Sequence, residues 1–260
     1  MRQSKRLRRI TEMVTPGAFV FDVGCDHGYT AIALVANGIC PGAVASDLRE
    51  GPLRAAAENI AAAGLSGRIT TVLTDGVPKE PGRYVPEACP VTLVITGMGG
   101  PLILRILSEA GEGLSTFSEL VLGPQSEAAG VPQGLWELGF AVTDEQMVEE
   151  DGKFYYLLKA RRREDGQDAS THAYTVDKGC ETVRKKEELL LCEELKNPVD
   201  FGFFLLQKKD ATYRRYLEKR WKTLTAIEAS LLAGGDGSNP RLAEVREERN
   251  DTAQKLSVYD

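Results

Sequence analysis

The chain has 260 residues, of which 42% are hydrophobic and 27% are charged, and its formal net charge is −6. These proportions are typical of a globular protein and exclude a collagen, a pure coiled coil and a disordered chain. The length allows one large domain, or a domain of about 150 residues with a smaller one beside it. Of these two arrangements we expect the second.

No hydrophobic run in the sequence approaches the roughly 18 residues that span a bilayer, so we expect no membrane segment. The basic residues at the start are not followed by a hydrophobic stretch, which indicates that the protein is not exported. The cysteines are scattered and form no Cys-x-x-Cys pair, which disfavours a disulfide framework and a zinc site. We therefore expect a cytoplasmic protein that binds no metal; its cysteines are Cys25, Cys40, Cys89, Cys180 and Cys192.

Short β-rich runs alternate with helical patterns through the first half of the chain, which is typical of βαβ units. Two extended segments, 140–148 and 153–160, then flank an Asp-Gly pair that marks a β-hairpin. We predict an α/β fold with a Rossmann-like, mostly parallel sheet that ends in an antiparallel hairpin. The other predicted strands are 19–23, 43–47, 69–74, 91–96 and 120–122. The predicted helices lie at 29–37, 53–63 and 102–110, and a further helix includes 135–138.

A polar stretch at 164–170 separates this part from a helical region. Hydrophobic residues recur at helical spacing from Leu217 to Leu231 and again from Leu242 to Leu256. A glycine-rich break lies between the two runs, and Asn239 before Pro240 is typical of a helix start. We therefore predict a first domain at 1–165 and a second at 166–260, the second being a small α-helical hairpin or coiled coil.

A glycine-bearing turn with the sequence FDVGCDHG directly follows the first predicted strand. A dinucleotide fingerprint would need further glycines where Asp26 and Tyr29 stand, and a carboxylate there repels phosphate, so NAD is disfavoured. The turn instead suits a ligand with an ammonium group and two hydroxyls, as in S-adenosylmethionine. Asp47, at the end of the second strand, is placed to accept both ribose hydroxyls.

Two further strand ends carry candidate residues. Asp75–Gly76 is placed to hold the adenine amino group of this cofactor, and the turn at 97–100 lets a substrate approach the backbone. The predicted catalytic residues are Asp26, His27, Tyr29 and Met98. The predicted cofactor residues are Asp22, Gly24, Cys25, Asp26, Asp47, Leu48, Asp75, Gly76, Gly97, Met98 and Gly99.

Each of these motifs also has a purely structural interpretation: Gly24 as a turn, Asp22 as a helix cap, and 97–100 as a tight strand-to-helix connection. Their order on successive strand ends makes a joint coincidence much less probable than any single one. From the residues alone, a small-molecule methyltransferase and a non-catalytic RNA-binding protein stay open beside an RNA-modifying enzyme.

The motifs Asp22-Val-Gly-Cys-Asp-His27, Gly51-Pro52, Asp75-Gly76 and Gly97-Met-Gly-Gly100, followed by a helical tail, resemble the bacterial tRNA (adenine-22-N1)-methyltransferase family. The resemblance covers essentially the whole chain. It implies a class I S-adenosylmethionine-dependent fold with a C-terminal helical domain, and methylation of N1 of an adenine in tRNA. The chain departs from the family pattern at Cys25, Asp47, Pro132 and Gly123-Pro-Gln125, where serine, glutamate, arginine and Gln-Pro-Asn are expected.

Basic side chains are concentrated between Lys208 and Lys222, where Asp210 and Glu218 are the only acids. Together with the basic residues between Arg2 and Arg9, this block is predicted to contact tRNA phosphates. The alternatives are a solvated helix face, a dimer contact or packing on the sheet. We expect a monomer or a weak dimer that acts on tRNA.

Overall fold

The computed structural model describes residues 4–163, 201–233 and 239–260. The chain divides into two compact units, Met1–Phe203 and Phe204–Asp260. The predicted domain boundary after residue 165 lies outside the described residues. The last residues of the first unit pack against its sheet, since the Gly202 amide donates to Glu145 Oε1 at 2.9 Å and the Phe201 and Tyr156 rings are 4.5 Å apart.

The first unit is built on a seven-stranded sheet with the order β3-β2-β1-β4-β5-β7-β6. The first five strands pair in parallel, and β7 and β6 extend the sheet in antiparallel fashion. The strands are β1 (Phe19–Val23), β2 (Ala43–Asp47), β3 (Ile69–Leu73), β4 (Val91–Thr96), β5 (Glu119–Gly123), β6 (Phe140–Glu150) and β7 (Lys153–Arg162). The helices are α1 (Lys5–Met13), α2 (Tyr29–Ala36), α3 (Glu50–Ala62), α4 (Gly100–Glu109) and α5 (Val131–Glu137).

The strand order reverses at β1, which pairs with β2 on one side and with β4 on the other. The chain runs outward from β1 to β3 and then returns to place β4 beside β1. In open α/β sheets, ligands bind at the carboxyl ends of the strands that flank such a reversal. Because the central strands are buried along their whole length, only their ends are available to a ligand.

The predicted Rossmann-like sheet and its antiparallel hairpin are confirmed. Asp151 and Gly152 join β6 to β7 with φ angles of 50° and 73°, the positive values that a tight hairpin turn requires. A register shift between Val142 and Asp144 marks an irregularity in β6. The bounds of β1, β2 and β4 are as predicted, and the other predicted strand and helix bounds differ from the observed ones by at most three residues.

Helix α1 is a feature that the sequence reasoning did not predict. Ser4 Oγ accepts a hydrogen bond from the Leu7 amide at 3.0 Å, which caps the helix start. Its buried side chains include Ile10 and Met13, which join the hydrophobic core next to β1. The stretch that was predicted only as a basic segment is therefore an amphipathic helix with one core-facing stripe.

Gly100, the first residue of α4, has no room for a side chain. A Cβ there would overlap the Glu127 carbonyl oxygen and would approach Val131 Cγ2 to 2.9 Å. This glycine therefore lets α4 pack closely against the segment that leads into α5. The glycine-rich turn after β4 is in part a packing requirement.

The second unit contains α6 (Phe203–Gln207), which starts at the last residue of the first unit, α7 (Ala211–Ala233) and α8 (Pro240–Ser257). The predicted cap is confirmed, because Asn239 Oδ1 accepts from the Arg241 amide at 2.9 Å. The Tyr259 hydroxyl donates to the Asp210 carbonyl at 3.1 Å, and Arg246 Nε donates to Glu228 Oε1 at 2.7 Å. These contacts make α7 and α8 an antiparallel hairpin. No described helix is both long and apolar enough to cross a bilayer.

Candidate active site

A cavity of about 650 Å³ lies at the carboxyl ends of β1 to β4, beside the strand-order reversal. Its volume is in the range of sites for small molecules and cofactors. The structure brings twelve predicted site residues together in its lining: Asp22, Gly24, Cys25, Asp26, His27, Tyr29, Asp47, Leu48, Asp75, Gly76, Gly97 and Met98. Gly99 is not in the lining; it caps the start of α4, and a Cβ there would stand 3.0 Å from Ser126 Oγ.

The loop after β1 is shaped by Gly24, which has a φ of +71°. The amides of Gly24 and Cys25 both donate to the Ser46 carbonyl, at 2.8 and 2.9 Å, which ties the loop to the end of β2. A Cβ on Gly24 would overlap the terminal methyl of Met98. The loop after β1 and the turn after β4 therefore meet over this glycine, as expected for backbone that a ligand approaches closely.

Asp22, at the penultimate position of β1, is only 3% exposed. Its Oδ2 accepts the Ala31 amide at 3.3 Å, so the carboxyl also caps the first turn of α2. Burial and the nearby Asp47 charge raise the pKa of Asp22 to about 7, against the hydrogen bond that lowers it. The helix-cap interpretation of Asp22 is thus correct, and the residue also lines the cavity.

Asp47, at the end of β2, is 6% exposed and fixed by backbone donors. Its Oδ1 accepts the Arg49 amide at 3.0 Å and its Oδ2 accepts the Asp26 amide at 3.3 Å. A carboxylate has about four acceptor positions, so capacity for ligand hydroxyls remains after these two bonds. The Arg49 guanidinium lies 3.6 Å away and is exposed.

Asp26, His27 and Tyr29 form the outer wall of the cavity and are about half exposed. The Asp26 carboxylate lies 3.7 Å from His27 Nε2, and the His27 and Tyr29 rings are 5.7 Å apart and inclined by 31°. Asp26 has a φ of 50°, a left-handed value that aspartate and asparagine tolerate better than most residues. Asn59 Nδ2 donates to the His27 carbonyl at 3.0 Å and fixes this part of the loop.

The sequence reasoning missed the part of the cavity that α1 and α4 supply. Ser4, Arg6, Leu7 and Ile10 come from α1, and Leu102, Arg105 and Ile106 come from α4. Gln125, from the segment after β5, also belongs to the lining. The available signal was the spacing of Leu7, Ile10 and Met13 behind Ser4, which is helical but interrupted by basic residues.

The chemistry of this lining fits S-adenosylmethionine. Four aspartates at the ends of β1 to β3 provide acceptors for hydroxyl, amino and ammonium groups. Gly24 and Gly76 also line the cavity, with φ angles of +71° and +76° that would strain a residue with a side chain. Within the described residues, no group of three or more His, Cys, Asp or Glu side chains is arranged to hold a metal ion.

The fold and the site together define a Rossmann-like protein of the class I methyltransferase type. The family described as "Methyltransferase domain" matches residues 3–158. The chain therefore belongs to the methyltransferase domain family.

Relatives with a more specific description are also similar to this chain. It is 32% identical over 160 residues to the tRNA (adenine(22)-N(1))-methyltransferase of Bacillus subtilis, a match that covers 62% of this chain and 65% of that protein. The match thus spans slightly less than two thirds of the relative.

Two solved structures resemble the whole chain. The Bacillus subtilis m1A22 tRNA methyltransferase TrmK superposes with a TM-score of 0.71 and 25% identity, over 100% of this chain and 99% of that one. A Streptococcus pneumoniae protein in complex with S-adenosyl-L-methionine superposes with a TM-score of 0.67 and 27% identity, over 98% of this chain and 97% of that one.

The raised pKa of Asp22 predicts that Asp22→Asn stabilises the ligand-free protein at neutral pH. The folded pKa of about 7 exceeds the ordinary 3.8, so the wild type loses stability as pH rises from about 4 to 7. Asparagine keeps an acceptor for the Ala31 amide and removes the buried charge. We expect the two proteins to be equally stable near pH 4 and the variant to be more stable by up to about 4 kcal/mol at pH 8.

Urea unfolding at several pH values between 4 and 8 measures this difference. Asp75→Asn is the matched control, because it removes an exposed carboxyl that follows β3 and should change the free energy of unfolding little. A difference between wild type and Asp22→Asn that does not grow with pH would contradict the expectation.

Proposed function

We propose that this protein is a cytoplasmic S-adenosylmethionine-dependent methyltransferase that methylates N1 of adenine 22 in tRNA, acting as a monomer or weak dimer. The observation that carries the proposal is the meeting of the Asp26–His27 pair with the Gly97–Met98 turn in one acidic cavity. These are the most specific motifs of the family that the sequence resembles. The Bacillus subtilis relatives carry this activity in their names.

Residues at the ends of three strands, β1 to β3, hold the cofactor, which supplies an activated methyl group. Asp47 accepts the two ribose hydroxyls, because its remaining acceptor positions face a cavity and its own position is fixed. Asp75 and Gly76 hold the adenine amino group. Asp22 and Asp26 attract the ammonium group, and Asp22 then gains the positive partner that its buried carboxyl lacks among the described residues.

The acceptor reaction needs positioning more than proton transfer. Adenine N1 carries a lone pair and no proton at neutral pH, so no general base is required. Methyl transfer from a sulfonium is an in-line displacement, and the protein contributes by aligning the reacting atoms. N1 lies on the Watson–Crick edge, so the target adenine enters the cavity unpaired or extruded from the helix.

The outer wall of the cavity suits an extruded base. His27 and Tyr29 present two partly exposed rings next to the Gly97–Met98 turn, and aromatic rings stack with bases. The methylated ring becomes a cation, and the Asp26 carboxylate stabilises the charge that develops on it. We assign His27 and Tyr29 to holding the base and Asp26 to electrostatic stabilisation.

Methylation of unmodified bacterial tRNA with labelled S-adenosylmethionine, followed by nucleoside analysis, tests the proposed function. We expect N1-methyladenosine as the sole labelled product, and no product from a tRNA in which adenine 22 is replaced by guanine. Cofactor binding without label in RNA would favour a small-molecule methyltransferase of the same fold. Failure to bind the cofactor would favour a non-catalytic RNA-binding protein.

Asp26→Asn tests the electrostatic role, because asparagine keeps the left-handed backbone and removes only the charge. We expect turnover with saturating tRNA to fall about tenfold, less than for a buried group because Asp26 is exposed. Binding of S-adenosylhomocysteine should weaken less than turnover falls, because Asp22 remains to attract its ammonium group. Full turnover with normal cofactor binding would remove this role from Asp26.

The basic block of α7 is the proposed tRNA contact in the second unit, and part of it is paired internally. Arg220 Nε donates to Glu248 at 2.6 Å, and Arg214 Nε lies 3.1 Å from Glu218. Arg215, Lys219 and Lys222 are exposed, and their spacing of four and three places them on one helix face. Trp221 is 40% exposed and lies next to Lys222 in the sequence.

A triple exchange of Arg215, Lys219 and Lys222 to glutamate should weaken tRNA binding more than tenfold at low salt and reduce its salt dependence. Binding of S-adenosylhomocysteine should stay unchanged. The matched control is Arg241→Glu on α8, which reverses an exposed charge away from this face. Unchanged tRNA affinity in the triple variant would assign α7 to a structural role.

A further inference from the structure

Arg6 stands out among the cavity residues because its guanidinium is partly buried and has no carboxylate within ion-pair distance among the described residues. Its Nη2 lies 3.6 Å from the position that a Cβ would take on Gly97, and its Cζ lies 5.0 Å from the centre of the Tyr155 ring. Across the described residues, no carboxylate lies within ion-pair distance of this guanidinium. A cation on the cavity wall is therefore held by an aromatic ring and not by an acid.

Helix α1 holds Arg6 in a fixed place. Glu150, at the end of β6, accepts the Lys5 amide at 2.6 Å and the Arg6 amide at 3.5 Å. After the helix, the Thr15 amide and hydroxyl donate to Glu119 at 3.0 and 2.6 Å. The helix is thus fastened to the sheet at both ends, which fixes the backbone from which the Arg6 side chain extends.

The other cations of the cavity are in different surroundings. Arg49 is exposed and lies beside Asp47, and Arg105 is exposed on α4. Arg6 is partly buried, and burial lowers its pKa below the ordinary value while Tyr155 and Glu150 oppose the change. A partly buried guanidinium without an acidic partner gains most from an anionic ligand, which it binds through two parallel hydrogen bonds.

We infer that Arg6 binds the α-carboxylate of the amino-acid end of the cofactor. This inference rests on the proposed function, which assigns the ammonium of that end to Asp22 and Asp26 and leaves its carboxylate without a partner. Arg6 approaches the backbone at Gly97, next to Met98, whose methyl lies against Gly24. The guanidinium is therefore at the junction of the two loops that would hold the amino-acid end.

An RNA phosphodiester is the competing anion. The phosphates of a folded RNA stay at the protein surface, where the exposed Arg49 and Arg105 are better placed to meet them. A carboxylate on a small ligand reaches a partly buried cation without that constraint. The position of Arg6 thus favours the cofactor, and the two ligands are distinguishable by binding measurements.

Calorimetric titration of the full chain with two nucleosides tests the inference. S-adenosylhomocysteine carries the amino-acid end, and 5′-methylthioadenosine is the same nucleoside without it. For Arg6→Met we expect the affinity for S-adenosylhomocysteine to fall about 10- to 100-fold and that for 5′-methylthioadenosine to stay within about twofold. Arg6→Lys keeps the charge without the planar fork and should lose about three- to tenfold.

Arg9→Met is the matched control on the same helix, since Arg9 is exposed and pairs with Glu12 at 3.0 Å. It should bind both nucleosides as the wild type does. Thermal unfolding of each ligand-free variant verifies that it is folded. If Arg6→Met does not fold, the comparison of wild type with Arg6→Lys tests the inference instead.

Three results would overturn the inference. Equal affinity of wild type and Arg6→Met for S-adenosylhomocysteine would show that Arg6 does not bind the carboxylate. If Arg6→Met also lost affinity for tRNA, Arg6 would be assigned to an RNA phosphate. An equal loss for both nucleosides shows that Arg6 acts through the shape of the cavity. If the wild type itself binds neither nucleoside, the proposed function fails and not only the role of Arg6.

Discussion

The site depends on keeping carboxylates at the buried ends of parallel strands. Asp22 and Asp47 stand on neighbouring strands whose carboxyl ends lie at one edge of the sheet, and each is less than 7% exposed. Burial disfavours the charged form of Asp22, and the Ala31 amide compensates only in part, while the Arg49 and Asp26 amides hold Asp47 in place. The cavity therefore carries an electrostatic cost before any ligand binds, and a ligand with hydroxyl and ammonium groups relieves it.

The antiparallel hairpin does more than extend the sheet. Glu150, the last residue of β6, accepts from the first amides of α1, and Tyr155 on β7 lies under the Arg6 guanidinium. The hairpin thus fastens the helix that closes one side of the cavity. Without β6 and β7, the parallel strands would still bring the aspartates together, but the wall that α1 supplies would have no anchor at its start.

The fold was predictable because each strand of the parallel sheet is a short hydrophobic run that ends at a glycine or an aspartate. Strand ends in such a sheet share one edge, so Gly24, Asp47, Gly76 and Gly97 could be placed in one site without coordinates. The segment α1 was not predictable in this way, because its apolar stripe is interrupted by four cations and its start is fixed by Glu150, far away in the sequence.

In the turn after β4, residue type alone does not distinguish a glycine that a ligand approaches from a glycine that close packing requires. Gly97 lies next to the Arg6 and Gln125 side chains, Gly99 faces Ser126, and Gly100 lies against the Glu127 carbonyl. All three positions carry the same residue for different reasons, and only the first belongs to the cavity. Sequence spacing identifies the turn, but the neighbours that decide each role come from α1 and from the segment after β5.

In the proposed reaction, the charges of the cavity also make cofactor binding a condition for stabilising the cationic product. Methylation makes the adenine ring cationic, and a guanidinium without a partner beside the reacting atoms would oppose that change. Paired with a carboxylate, the same guanidinium contributes little net charge, and the aspartates then set the local potential. The proposed pairing of Arg6 with the cofactor therefore makes the cavity favourable for a developing cation only after the cofactor is bound.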